Sequence, residues 1–294
     1  WGLQDNGSGY IDPSTNIPYM TFGGDGFYNQ VDPDNSQLAY IEYASAAMYR
    51  SSDGGQNWTS IQPSQLTAAQ FSNPFAMDPT NAKHLMTGGS EIVETLDAPN
   101  VTTSNWVQVY DLGKDAYGAG RQVSAVSLIG DAAYVGFCGA CYVNHLPQSH
   151  PVATGIATNV NGDKAPQAGT SDGWHIAKLA GLPVRTITSI AIDPADTKTL
   201  YVTLSGYNGV DWAPPGSYLD GNTNIGSGHV FVSHDAGDSF TDISGDLPQT
   251  YAEAVILIGS QLAVGTDLGP YISSDLSGAH WVPLGNGMPN VPVD

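Results

Sequence analysis

The chain has 294 residues, room for one large domain or two small ones, and 41% of them are hydrophobic, so it buries a core rather than staying disordered. Eight Lys and Arg face 28 Asp and Glu, and the resulting charge of −20 argues against nucleic acid and anionic membrane surfaces as partners. Four of the acids are glutamates; the aspartates, with 35 Gly and 19 Pro, mark a turn-rich chain with little helix, and no apolar run reaches the roughly 18–20 residues that membrane insertion needs.

In chain order, Trp1-Gly2-Leu3-Gln4-Asp5-Asn6-Gly7 comes first, with no basic-then-apolar leader. Two recurring patterns follow. One is an apolar run ending in Asp-Pro, then a polar turn and a second apolar run. It occurs at Val31-Asp32-Pro33, at Met77-Asp78-Pro79 and at Ile192-Asp193-Pro194. Pro cannot donate to a sheet ladder and Asp bonds its own turn, so each predicts strand, tight turn, strand. The other is Ser-x-Asp-x-Gly-x-x-aromatic. It is complete at Ser51-Ser52-Asp53-Gly54-Gly55-Gln56-Asn57-Trp58 and at Ser233-His234-Asp235-Ala236-Gly237-Asp238-Ser239-Phe240. With one residue inserted, it returns from Ser273 through Asp275 to Trp281. Asp accepts backbone N–H bonds, Gly takes the positive φ, and the aromatic tucks under the loop, as suits a hairpin tip. From Asp235 to Asp275 is 40 residues, the length of one four-stranded blade.

The patterns divide the chain into units at 27–72, 73–120, 121–184, 185–250 and 251–288, with 289–294 and 1–26 as the two parts of a split unit. The second and third units lack the Ser-x-Asp-x-Gly turn, and Trp106 and Trp174 take the aromatic's place there. The expected fold is all-β, a β-propeller of four-stranded antiparallel blades with five to six blades visible. Val291-Pro292-Val293-Asp294 reads as a strand just beginning, so the expectation is a processed product or a piece of a larger propeller or propeller pair.

The Ser-x-Asp-x-Gly-x-x-Trp/Phe turn resembles the Asp-box (BNR) repeat of sialidases, xyloglucanases and sortilin-like propellers. Gly23-Gly24-Asp25-Gly26, Cys138-Gly139-Ala140-Cys141, Gly228-His229-Val230-Phe231 and Val264-Gly265-Thr266-Asp267-Leu268-Gly269 look like stretches of secreted bacterial Asp-box proteins labelled glycosyl hydrolases. The resemblance implies a secreted or cell-surface location. It also implies an extracellular polysaccharide or protein as partner, beside the remainder of a longer chain or an assembly. Three arginines, Arg50, Arg121 and Arg185, do not make a sialidase, because Arg50 precedes a tip turn on the outside of a blade.

Ligands of a propeller meet one mouth of its channel, where innermost strands begin and second strands end. Arg121 and Arg185 occupy equivalent places before innermost strands, suited to a carboxylate, to sugar hydroxyls, or to a salt bridge with one of many aspartates. Asp5 and Asp267 each follow a second strand, and Thr266-Asp267-Leu268-Gly269 is similar to a xyloglucanase segment carrying a catalytic Asp. A glycosidase pairs two carboxyls, so Asp5 and Asp267 are the candidate pair, with Asp25 and Glu253 as further ligand contacts. Against this, an Asp beside Gly after a strand is commonly a turn former. Trp212 and Tyr218, in the insert 208–227, offer stacking surfaces for sugar rings.

Cys138 and Cys141 suit a short-loop disulfide, with a structural zinc shared with His145 and His150, or free thiols, as the alternatives. No cofactor or functional metal is expected beyond adventitious Ca2+ in Asp-rich turns. Asn159-Val160-Asn161-Gly162-Asp163 starts like a calcium loop, but the closing Glu is missing. Two functions remain: recognition of an extracellular glycan or protein without chemistry, or glycoside hydrolysis by an Asp pair at the mouth.

Overall fold

The computed structural model describes residues 1–12, 14–115, 118–139, 154–205, 228–285 and 291–293. Their regular structure is β-strand except for a 3-10 turn at Ala98–Asn100. The first sheet has three strands, β1 (Gly2–Leu3), β2 (Gly7–Asp12) and β3 (Ile17–Phe22). The second holds β4 (Asn29–Val31), β5 (Ala39–Glu42), β6 (Met48–Ser51) and β7 (Thr59–Ser60). The third holds β8 (Phe75–Asp78), β9 (Asn81–Gly88), β10 (Glu91–Thr95) and β11 (Val107–Asp111). The fourth holds β12 (Arg121–Ile129), β13 (Ala132–Gly139), β14 (Thr154–Thr158) and β15 (His175–Ile176). The fifth holds β16 (Ile187–Ile192), β17 (Leu200–Leu204), β18 (Val230–Ser233) and β19 (Thr241–Asp242). The sixth holds β20 (Ala252–Ile258), β21 (Gln261–Thr266), β22 (Tyr271–Ser273) and β23 (Trp281–Pro283). Within each sheet, neighbours in sequence pair antiparallel.

The first strand of every four-stranded sheet lies innermost. Tyr28 just ahead of β4, Phe75 of β8, Val126 of β12, Ser189 of β16 and Glu253 of β20 line a single cavity of ≈ 120 Å³. Five strands from five sheets therefore share one axis. The core lies between sheets rather than at the centre. One cluster joins Tyr40 and Met48 to Phe75 and Leu85, a second Met86 and Val109 to Val123 and Phe137. A third joins Tyr134 and Ile156 to Ile187 and Leu200, and a fourth Tyr201 and Val230 to Val255 and Leu262. From the second sheet to the sixth, neighbouring sheets thus bury their facing sides against one another, and the hydrophobic contribution is spread around the axis. The first sheet joins the second through Phe22, whose ring lies 4.6 Å from that of Tyr49 and 6.2 Å from that of Trp58.

The Asp-Pro turns share one device. Asp32, Asp78 and Asp193 each use Oδ1 to accept the N–H two residues on, at 2.9, 2.8 and 2.8 Å. The two complete Ser-x-Asp-x-Gly tips are likewise built alike. Ser51 and Ser233 each donate to the Asp at 2.8 Å, and Gly55 and Gly237 each donate to the serine, at 2.8 and 2.9 Å. Asp53 and Asp235 then accept the N–H four residues on, from Asn57 at 2.9 Å and Ser239 at 2.8 Å. Gly55 and Gly237 sit at φ 87° and 89°, which favours glycine. The inserted residue changes the third tip: Asp275 binds Ser277, while Ser273 Oγ accepts the N–H of Leu262 instead. Asp235→Ala is therefore expected to lower the thermal midpoint by several degrees and Asp275→Ala by less, as measured by circular dichroism.

All three tip aromatics stand next to their outer strands, Phe240 and Trp281 buried and Trp58 half-buried. Trp106 donates Nε1 to the Ile61 carbonyl at 2.8 Å, and Trp174 stacks on Tyr110, so both plug the junctions of sheets without the tip motif.

Candidate functional site

The site lies at the end of the axis where inner strands begin and second strands end. Its frame is a repeated irregularity: the inner-strand register shifts between Val123 and Ala125, Ile187 and Ser189, and Ala252 and Ala254. Arg121 and Arg185 both stand two residues before that bulge, so they are register equivalents. A bulge re-aims the side chains beside it, and Glu253, inside the third bulge, lines the axial cavity. At the second-strand exits the match is equally close. The N–H groups of Glu42, Ser205 and Asp267 donate to the carbonyls of Tyr28, Thr186 and Tyr251, at 2.9, 3.0 and 3.3 Å.

Equivalent backbone positions carry side chains in different states. Arg121 is half-buried, donates Nη1 to the Leu112 carbonyl at 2.9 Å and lies 5.4 Å over the Phe137 ring. Arg185 is fully buried, and its Nη2 donates to the Gly228 carbonyl. Burial pulls its guanidinium down to about 10, with the negative charge of Asp242 acting against that.

Asp5 is exposed in the left-handed region at φ 63°, and its N–H donates to Asp25 Oδ1 at 3.0 Å. Asp25, Glu253 and Asp267 are each partly exposed. The Asp5 backbone is thus tied to the Asp25 carboxylate. Trp212, Tyr218, Cys141, His145 and His150 lie outside the described residues, and with them the stacking surfaces, the disulfide and the zinc alternative. Cys138, one residue before the end of β13, is buried. Asn159 is buried, accepting from Ala133 N and donating to the Asp131 carbonyl. Among the described residues no group of three or more His, Cys, Asp or Glu is placed to hold a metal.

Sequence reasoning missed Glu42. It is fully buried at the end of β5, accepting the Ala46 N–H at 3.2 Å through Oε1, while Oε2 has no partner. Burial, helped by the negative charge of Asp25, pushes its carboxyl up to about 8, and N–H groups of Ala46 and Asn73 offset part of that rise. Glu42 consequently holds its proton at neutral pH. The clue was available: Ile41-Glu42-Tyr43 ends a second strand as Thr266-Asp267 does.

No family model matches the chain. No curated protein matches it either. Solved structures do. The chain superposes on an ancestral GH74 enzyme with a TM-score of 0.59 at 12% identity, covering 92% of this chain and 32% of the enzyme. It is also similar to a GH74 enzyme of Niastella koreensis, with a TM-score of 0.55 at 15% identity over 85% of this chain and 37% of that one. A chain of a nidogen–laminin complex matches with a TM-score of 0.54 at 12% identity, over 96% and 90% of the two chains. These likenesses agree with the ring of antiparallel sheets about one axis. The fold is a β-propeller. Its six sheets are blades, and the chain spans about a third of the GH74 enzymes it resembles.

The propeller's two outermost faces differ from those within. Ala191 in the fifth blade is buried by the sixth, yet its register equivalent in the sixth, Ile256, is 56% exposed, and Val282, across the same sheet on β23, is 58% exposed. At the other end, Tyr10 and Tyr19 stack on a first blade whose Met20 is 65% exposed. Among the described residues no helix is long and apolar enough to cross a membrane.

Proposed function

We propose that the chain is a secreted recognition propeller that binds an extracellular glycan or protein across the mouth described above. One observation carries the reading: the exposed Asp5 and the partly exposed Asp25, Glu253 and Asp267 all stand where strands begin or end on the mouth side, and Glu253 lines the axial cavity. Carboxylates accept hydrogen bonds from sugar hydroxyls and pair with basic side chains. The axial cavity of ≈ 120 Å³ is well below the roughly 300–1,000 Å³ of enclosed ligand pockets. A ligand therefore lies over the mouth and not within the channel. The exposed apolar faces of the first and sixth blades support a setting beside further sheets, since contiguous apolar patches mark interaction surfaces.

Glycoside hydrolysis by Asp5 and Asp267 is the second reading, and the likeness to GH74 enzymes favours it at the level of fold. Hydrolysis needs a protonated carboxyl in contact with substrate beside an ionised one. Glu42 keeps its proton but is fully enclosed, so it is not an acid that touches substrate.

A panel of neutral polysaccharides and basic peptides, scored for binding and for release of reducing ends, separates the two. The expected result is binding without release, weakened about tenfold (~1.4 kcal/mol) in an Asp25→Asn, Asp267→Asn double variant. Release of reducing ends by the wild type, abolished in Asp5→Asn or Asp267→Asn, would establish the hydrolase instead.

A further inference from the structure

The junction between the first and second blades follows the plan of the others but is left open. Each of the four apolar clusters fills one junction between the second blade and the sixth, and none contains a residue of the first. The Asp-Pro turns at Asp32 and Asp193 align the second blade with the fifth. Val31 pairs with Ala39 and Asn29 with Ile41 in the one, as Ile192 pairs with Leu200 and Ile190 with Val202 in the other. The tip motif matches Trp58 with Phe240. In the fifth blade, Ile190, Ile192, Leu200, Val202 and Phe240 all pack in one cluster with Tyr134 and Ile156 of the fourth. Their equivalents in the second blade, Asn29, Val31, Ala39, Ile41 and Trp58, instead line a cavity of ≈ 470 Å³. Asn29 and Ala39 stand where an isoleucine and a leucine fill the fifth blade, so this face is too small and too polar to close. Val31 is 53% exposed, against 8% for Ile192.

The volume falls within the roughly 300–1,000 Å³ of ligand pockets, and the lining offers two kinds of group. Trp1 and Tyr10 beside the first blade and Trp58 from the second contribute aromatic rings. Trp1 lies against Gly9, where a Cβ would come within 2.5 Å of its ring. Gln30, Gln37 and Gln56 contribute side-chain amides that have no hydrogen-bond partner among the described residues. Asp53 is the only carboxylate among the described lining residues, and both its oxygens are occupied within the tip. Oδ1 accepts the N–H groups of Gln56 and Asn57, and Oδ2 accepts Asn57 Nδ2. Aromatic faces attract the C–H groups of a sugar ring, and amides both donate to and accept from its hydroxyls. A charged ligand finds no free opposite charge among these side chains.

We propose that this cleft is a second binding site, for an uncharged pyranose unit of a glycan, stacked on Trp58 and held by Gln30, Gln37 and Gln56. It reaches the Ser36-Gln37 turn at the end of the axis away from the mouth and uses none of the mouth carboxylates. The mouth reading and this one can therefore fail separately.

Calorimetric titration of the full chain with neutral tetrasaccharides of glucose, galactose and mannose is the test, beside tetragalacturonate and decaproline. The titrations are run in the wild type and in the Asp25→Asn, Asp267→Asn double variant, so that the mouth does not answer for the cleft. Binding of at least one neutral tetrasaccharide is expected in both, with tetragalacturonate and decaproline silent. Ala39→Leu gives the cleft the side chain that Leu200 places in the fifth blade, and is expected to weaken that binding at least tenfold without lowering the thermal midpoint. Trp58→Ala removes the stacking ring and should weaken it as much. Because that change also cuts into the tip motif, circular dichroism confirms the fold, and Ala39→Leu decides. Silence of all three neutral sugars, binding of tetragalacturonate or decaproline in their place, or an affinity unchanged by Ala39→Leu overturns the proposal. Sugar binding confined to the wild type overturns it too, and assigns the sugar to the mouth.

Discussion

Stability is expected to fall as pH rises from 6.5 to 8, and Glu42→Gln is expected to remove that fall. The folded chain keeps the Glu42 proton up to about pH 8, whereas the unfolded chain releases it near the ordinary 4.5. The folded state is therefore the better proton binder between those limits. Its stabilisation from this group is complete below 4.5 and is lost as pH climbs through 8. At roughly 1.4 kcal/mol per pH unit, the interval from 6.5 to 8 costs about 2 kcal/mol, or about 4–6 °C in thermal midpoint for a chain of this size. Other groups titrate elsewhere. Asp12, Asp53, Asp246 and Asp275 are lowered below 3.8 by their hydrogen bonds, and Asp235 is lowered too, its burial outweighed by its hydrogen bonds to Ser239 and Ser233, so their contributions fade only in stronger acid. His229, lowered by burial, opposes Glu42 below its ordinary 6.5, because its folded form resists the proton. Thermal midpoints of the wild type and Glu42→Gln at pH 6.5, 7.2 and 8 provide the check. Parallel slopes would mean that Glu42 is ionised in the folded protein.

Ile187→Ala should be the more damaging change at any pH. Ile187 is fully buried between the fourth and fifth blades, where it pairs with Leu204, and a Cβ on Gly136 would lie 3.0 Å from its Cγ2. That close fit leaves a cavity when the side chain is cut back, a loss of about 2–5 kcal/mol. Ile256→Ala removes the same atoms from a side chain that is 56% exposed, and should cost under about 0.5 kcal/mol. Urea midpoints of the pair test the ring directly. Equal losses would show that the outer face of the sixth blade is covered, contrary to the structure.

Much of this was legible in the residues because the forces are local. Asp32, Asp78 and Asp193 close their turns with N–H groups two residues away, and Asp53 and Asp235 cap tips within four residues. Spacing alone reveals such contacts, and their recurrence about every forty residues is what announces blades. The alignment of Arg121 with Arg185 was readable for the same reason, since both precede an inner strand by a repeated offset.

Long-range packing decided the rest. Arg121 and Arg185 share a register, yet one lies over Phe137 and stays half-exposed while the other is sealed beside Gly228, 43 residues away. The Asp5 N–H meets the Asp25 carboxylate across a span of 20 residues. Glu42 is the sharpest case: its sequence neighbours show a strand end, but its proton is held because the second and third blades close over it and exclude water. The chain's own letters settle turn chemistry and repeat length, since neighbours along the backbone make those contacts. Burial and charge state arise only when distant segments meet, because desolvation depends on everything that surrounds a group in space.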